Sequence, residues 1–151
     1  MTRSRGATLR LLGHLPEAAI RRPRTQGAWS IKDVLVHIAA WEEEGARRLE
    51  LIRRGRGDRI RFYDTMPEVD RFNARTVAAA RRLSLPRLLG RLEGARERLV
   101  AALKRLPAQA LADPTHDLPV VAWLREFAWT HEAAHRREIR AWWQAHRAPR
   151  R

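Results

Sequence analysis

Residues Ser30 to Arg53 read SIKDVLVHIAAWEEEGARRLELIR, with apolar residues recurring at helical rather than alternating spacing. Ser30 is a natural N-cap, and Asp33 at the third position completes a capping-box-like start, so the stretch predicts a helix over about 31–53. Val34, Ile38, Trp41, Gly45, Leu49 and Ile52 form its buried stripe, and His37 lies on the same side. Upstream, a short helix is expected over about 2–13, broken around Gly13 and Pro16, and the loop PRTQG at 23–27 delivers Trp29. Downstream, RRGRGDR at 53–59 is a charged, Gly-broken loop. Pro67 then opens a shorter helix over about 67–82, with Val69, Phe72, Thr76 and Val77 inward. Ser84 caps a helix running to Leu106, whose leucine stripe is close to a heptad seam suited to an antiparallel neighbour. After a loop at 107–119, a last helix over about 119–147 carries Val120, Leu124, Phe127, His131, His135, Ile139 and Trp142 along one stripe. No alternating strand pattern lasts beyond a few residues. The expected fold is all-α, a four-helix bundle with one short additional helix forming a single domain over 1–147, followed by a disordered basic tail at 148–151.

The 151 residues suffice for an ordinary buried core. Cysteine is absent, which excludes disulfides, thiolate metal sites and an internal thiol nucleophile, and fits a reducing, cytoplasmic setting. Any thiol chemistry needs an imported thiol. The start, MTRSRGATLRLLGHL, lacks the apolar core of a secretory signal, and no apolar run is long enough for a membrane span, so no membrane association is expected. All but two of the 31 basic residues are arginine, against 17 acidic ones, giving a formal charge of +14. Because the arginines are spread from Arg3 to Arg151, they read mainly as cations on solvated helix faces. Local concentration is confined to the termini and to Arg53, Arg54, Arg56, Arg59 and Arg61. A polyanion footprint is the competing reading, but no helix-turn-helix signature, sheet aromatics or basic block supports specific nucleic-acid binding.

Three of the six histidines fall where a bundle buries them: His37, His131 and His135. Residues at i and i+4 share a helix face, so His131 and His135 can converge on one ion, and His37 from a facing helix completes a tripod with a vacant position. Unpartnered buried polar groups cost about 1–3 kcal/mol each, and one divalent ion satisfies all three imidazoles together. The alternative is that each is a core histidine bonded to a carbonyl or carboxylate. His14, His116 and His146 lie near helix ends or loops and read as surface residues. His131 to His135 also spells the H-E-x-x-H of zinc proteases. The usual continuation is missing, since Glu138 and Ala141 stand where it needs Gly and a third His, and there is no strand to hold a peptide. Glu132 is therefore a weak candidate for a general base. It turns off the histidine stripe, and a solvated or salt-bridging role suits it better.

The run WSIKDVLVHIAAWE (Trp29–Glu42), followed much later by THEAAHRREIRAW (Thr130–Trp142), resembles the DinB-like superfamily of bacterial four-helix bundles. Within it the chain looks most like the ClbS/DfsB-type proteins and the metal-binding domain of mycothiol-dependent maleylpyruvate isomerase. The resemblance spans about residues 7–143 and includes VDRFNA at Val69–Ala74. It implies a divalent metal, zinc or nickel, held by His37, His131 and His135. It also implies thiol-dependent transferase or isomerase chemistry with an external low-molecular-weight thiol, or hydrolysis, on a small electrophilic molecule. Two departures stand out: the segment before Trp29 looks shorter than in relatives, and Glu132 replaces an aromatic common after the first histidine of the pair. Trp41, Asn73 and Trp142 are the candidate pocket-lining residues, although tryptophans pack cores and Asn73, like Asp70, can simply bond helix ends.

These readings favour a metal-dependent enzyme with a small-molecule substrate. A non-catalytic protein that sequesters a small molecule ranks second, and a charge-driven nucleic-acid binder last. Trp123, Trp129 and Trp143 remain after the core stripes are filled, so a homodimer through an apolar helix face is expected.

Overall fold

The computed structural model of the chain describes residues 2–61, 63, 65–112 and 119–147. His116 and the tail at 148–151 lie outside the described residues. The helices are α1 (Thr2–Gly13), α2 (Glu17–Arg21), α3 (Ile31–Arg53), α4 (Met66–Ala80), α5 (Leu85–Lys104), α6 (Val120–Phe127) and α7 (Trp129–His146). Among the described residues, extended pairing is limited to an isolated bridge between Gln26 and Trp29. The all-α bundle expected from periodicity is what forms, and no helix among the described residues is long and apolar enough to cross a membrane.

The centre of the bundle is α3. Its start is fixed as the sequence indicates: the Ser30 hydroxyl accepts from the Asp33 amide at 3.1 Å and the Asp33 carboxylate accepts from the Ser30 amide at 3.0 Å. Leu35, Ala39 and Leu49 are fully enclosed, and Lys32, Glu42 and Arg48 are buried as well, so the helix is covered on nearly every side rather than along one stripe.

Three expectations are corrected. First, α5 runs parallel to α3, not antiparallel: Arg91 and Arg98 both reach Glu43, Arg96 reaches Glu42, and Leu99 meets Gly45. Position numbers rise together along the two helices. The reversing segment is α4, which sets Asn73 against His37 and returns Arg81 beside Lys32. A Cβ on Gly45 would stand 3.2 Å from the end of the Leu99 side chain, so glycine leaves room there for the leucine to pack against α3. Second, the last helix is broken at Ala128, whose φ of −104° and ψ of −90° leave the helical region. There the Thr130 hydroxyl donates to the Arg125 carbonyl at 2.6 Å, occupying the acceptor that the amide of residue 129 would use in an unbroken helix. Third, α2 had no counterpart in the expectation. It follows Pro16 and closes one end of the core with Ile20.

The tryptophans assigned to an outer face are drawn inward. Trp123 is buried, while Trp129 and Trp143 are half-buried against the two main apolar clusters. Among the described residues, the large exposed apolar side chains are instead Met66 and Val121.

Between those two clusters, four helices, α1, α3, α5 and α7, each contribute one charge. Arg5 (α1) donates to Glu132 (α7) at 2.8 Å, to Glu42 (α3) at 2.7 Å and to the Leu92 carbonyl at 2.6 Å. Arg96 (α5) donates to Glu42 and, at 2.9 Å, to the second oxygen of Glu132. Both glutamates are completely buried and both arginines nearly so. The arginine surplus is thus not confined to solvated faces. Burial pushes the Glu42 carboxyl above its ordinary range against the pull of Arg96 and Arg5, and its Oε2 has no hydrogen-bond partner among the described residues.

Candidate metal centre

His37 projects from α3, and His131 and His135 from the first two turns of α7, just after the break at Ala128. The His131 Nε2 lies 2.7 Å from the Nε2 of His37 and 3.1 Å from that of His135. One ring nitrogen from each of the three falls within 4.8 Å of the others. The convergence expected from the i, i+4 spacing and the facing stripe is present in the structure.

The other ring nitrogens decide which atoms are free. His37 Nδ1 lies 3.0 Å from Asn73 Oδ1, and His135 Nδ1 lies 2.9 Å from Glu138 Oε2. Both partners are acceptors, so each Nδ1 carries the proton and donates, which assigns a lone pair to each Nε2. His131 Nδ1 is buried and has no hydrogen-bond partner among the described residues. His131 can offer at most one hydrogen toward the two lone pairs that face it, so three imidazoles alone cannot satisfy this arrangement. A divalent cation can. Imidazoles at about 2.0–2.1 Å from a tetrahedral ion stand about 3.3 Å apart, a modest opening of the 2.7 and 3.1 Å separations to His131 and within the 4.8 Å span of the trio. Outward N–H groups anchored on a carboxylate and a carboxamide are also the usual support for metal-ligating histidines. The donor set therefore fits a divalent ion of the zinc or nickel type, with three protein ligands and a further position left for an exchangeable one.

Electrostatics favour the same chemistry. Burial and the neighbouring His135 push His37 down to about 4, partly offset by Asn73, and burial with His37 and His135 pushes His131 down to about 3. Both rings are neutral near pH 7, so binding an ion displaces no proton from them. In the metal-free protein these groups take up no proton where the unfolded chain, at about 6.5, does. Their effect on stability is therefore constant above about pH 6.5, and stability falls as the pH drops from there toward about 4 and 3. Denaturant midpoints of metal-free protein at about pH 7 and about pH 5 are expected to separate more for wild type than for His131→Gln. Equal separations would contradict the assignment.

Aromatic side chains wall the trio. Trp41 donates its Nε1–H to Asn73 Oδ1 at 3.0 Å, so one carboxamide oxygen positions both His37 and the indole. Trp41, Val69, Phe127 and Glu126 join His37 and His131 around a mainly apolar cleft of about 250 Å³. On the other side, His135, Glu138, Trp29, Trp142 and Gln26 line a second cleft of about 380 Å³. Trp41, Asn73 and Trp142 thus all lie at the site, with Asn73 acting through His37 rather than lining either cleft. Asp70 is exposed. Glu132 is committed to Arg5 and Arg96, and its carboxylate is not among the groups that converge on the trio. It is a salt-bridging residue, not a solvated one, and its engaged oxygens do not suit a general base.

Sequence reasoning missed two residues here. Glu138 was visible as a carboxylate three positions after His135. Trp29 packs on the His37 ring with centroids 5.0 Å apart, and it arrives there through a tight turn in which Gln26 and Trp29 exchange backbone hydrogen bonds. Gly27, at φ +62°, supplies the left-handed residue that this turn requires.

The fold and site define an all-α helical bundle whose three converging histidines could hold a metal ion. The sequence profile of the DinB superfamily matches residues 1–139, and the chain belongs to that superfamily. No curated protein and no solved structure matches it.

Proposed function

We propose that this DinB-superfamily protein is a metal-dependent enzyme acting on a small electrophilic molecule, by transfer or isomerisation with an external thiol or by hydrolysis. The observation that carries the proposal is the meeting of three Nε2 atoms, two of them assigned as lone pairs, between two clefts. A divalent ion held there supplies Lewis acidity and lowers the pKa of a coordinated thiol or water. The chain's own residues do the rest. Asn73 and Glu138 fix the orientation of His37 and His135. Trp41, Val69 and Phe127 exclude water from the smaller cleft and present apolar surface to a substrate. Glu126 at its rim and Gln26 in the larger cleft offer polar contacts. With no cysteine in the chain, the nucleophile comes from solution.

The test is turnover. Metal-loaded protein is incubated with a generic electrophile, 1-chloro-2,4-dinitrobenzene, with and without glutathione. Acceleration that disappears in His37→Ala supports the reading. Saturable binding of the electrophile with no turnover under either condition favours the second reading, a sequestering protein of the ClbS/DfsB type. The specific observation in favour of that reading is that Glu132, the residue the sequence offered as a general base, is occupied elsewhere.

Asn73 provides a separate check. Asn73→Ala removes the acceptor of His37 Nδ1–H and is expected to weaken zinc binding about 10–100-fold in chelator competition, while Asn73→Asp, which keeps an acceptor, restores it. Unchanged affinity in Asn73→Ala would remove its supporting role.

A further inference from the structure

On the far side of the aromatic wall from the histidines, a cleft of about 660 Å³ is lined by Arg47, Arg61, Arg71 and Arg75 against Glu44 and Glu68, with Tyr63 and Phe72 as its rings. The four arginines come from α3, the loop after it and α4, so no block in the sequence announces them. Phe72 packs on Trp41 at a tilt with centroids 4.7 Å apart, and Tyr63 meets Trp41 edge-on at 5.7 Å, so the wall of the histidine cleft is also the wall of this one.

The charge in the cleft is not balanced internally. Burial pushes the Glu44 carboxyl up, but hydrogen bonds from Arg47 and the buried Arg48, both at 2.8 Å, outweigh it and hold the group below the usual carboxylate range. Glu68 accepts from Arg61 at 2.9 Å. Both carboxylates are therefore already engaged. Arg71 and Arg75 are exposed, stand one turn apart on the same face of α4, and form no ion pair among the described residues. Like charges at that spacing repel, by about 0.2–0.5 kcal/mol in isolated helices. Near the end of α3, by contrast, Arg53 and Arg54 share Glu50, so both have an ion-pair partner although one carboxylate offsets only one of the two charges.

We infer that this arginine-lined cleft is a binding site for a compact multivalent anion, a small molecule bearing phosphate or several carboxylates, separate from the histidine centre. Guanidinium groups suit either chemistry because their paired N–H donors match two oxygens of one group. The concavity and its size favour a small molecule over the extended backbone of a nucleic acid. This inference stands independently of the metal.

Two probes separate the sources: pyrophosphate and citrate, each titrated calorimetrically at constant, near-physiological ionic strength. The expected result is saturable one-to-one binding of at least one of them. The tighter probe identifies the anion class. Arg71→Gln/Arg75→Gln is expected to weaken that binding about tenfold or more, whereas Arg87→Gln/Arg137→Gln, with the same change in net charge at other exposed positions, leaves it within about twofold. Glutamine is a good helix former, and circular dichroism confirms that both variants stay folded. Binding of neither probe, or equal weakening in the two variants, overturns the site in favour of diffuse attraction to a cationic surface. Tighter binding of duplex DNA that is lost equally in both variants has the same consequence.

Discussion

Glu132→Ala is expected to destabilise the protein by about 3–5 kcal/mol, the range found when one partner is removed from a buried ion network. The reason is the residue left behind. Arg5 and Arg96 each lose a carboxylate oxygen at 2.8 and 2.9 Å while remaining almost fully enclosed, and the remaining glutamate, Glu42, already serves both. Such a loss is a large part of the about 5–15 kcal/mol that holds most domains folded. Denaturant unfolding followed by circular dichroism measures it. Replacing all four charges together with apolar residues of similar volume is expected to cost far less, because no group is then stranded. A Glu132→Ala loss below about 1 kcal/mol would mean that water reaches the arginines and that the network does not tie the four elements together. Glu132→Gln adds a second readout: where it folds, it is expected to retain metal, since its carboxylate lies outside the histidine cluster.

Adding zinc to the metal-free protein is expected to raise its stability by about 4 kcal/mol when free zinc is about a thousand times the dissociation constant, by mass action alone. For a chain of this size that corresponds to a shift in the unfolding midpoint on the order of 10 °C. His131→Ala is expected to abolish the shift. His131 is the shared neighbour of the other two, at 2.7 Å from His37 and 3.1 Å from His135, so its loss leaves two ligands on different helices. The loss in affinity exceeds the about 10–100-fold that an outer support such as Asn73 contributes. A zinc-induced shift of equal size in His131→Ala would place the metal elsewhere.

The sequence revealed faces better than directions. The Ser30–Asp33 cap and the apolar stripe of α3 were legible because capping and periodicity are local, and the His131–His135 pair was legible because four residues is one turn. That α3 and α5 run parallel was not, since a leucine stripe shows which side is buried and says nothing about which way the partner points. Ala128 hid the break in the last helix. Alanine is the best helix former, and the Thr130 hydroxyl that takes the Arg125 carbonyl at the break looks in sequence like any helical threonine. The buried quartet was invisible for a related reason: Arg5, Glu42, Arg96 and Glu132 sit on four different helices, and in the sequence each resembles any surface charge. The family resemblance pointed to the three histidines. What holds them emerges only from the fold, Asn73 and Glu138 outside and Trp29 and Trp41 alongside.

Metal analysis of untagged protein, purified without a metal-affinity column and compared with His37→Ala prepared identically, bears most directly on the three-imidazole centre. The account predicts close to one equivalent of a divalent transition metal in the wild type and almost none in the variant. Equal metal in the two, or none in wild type even after zinc is supplied, would contradict it.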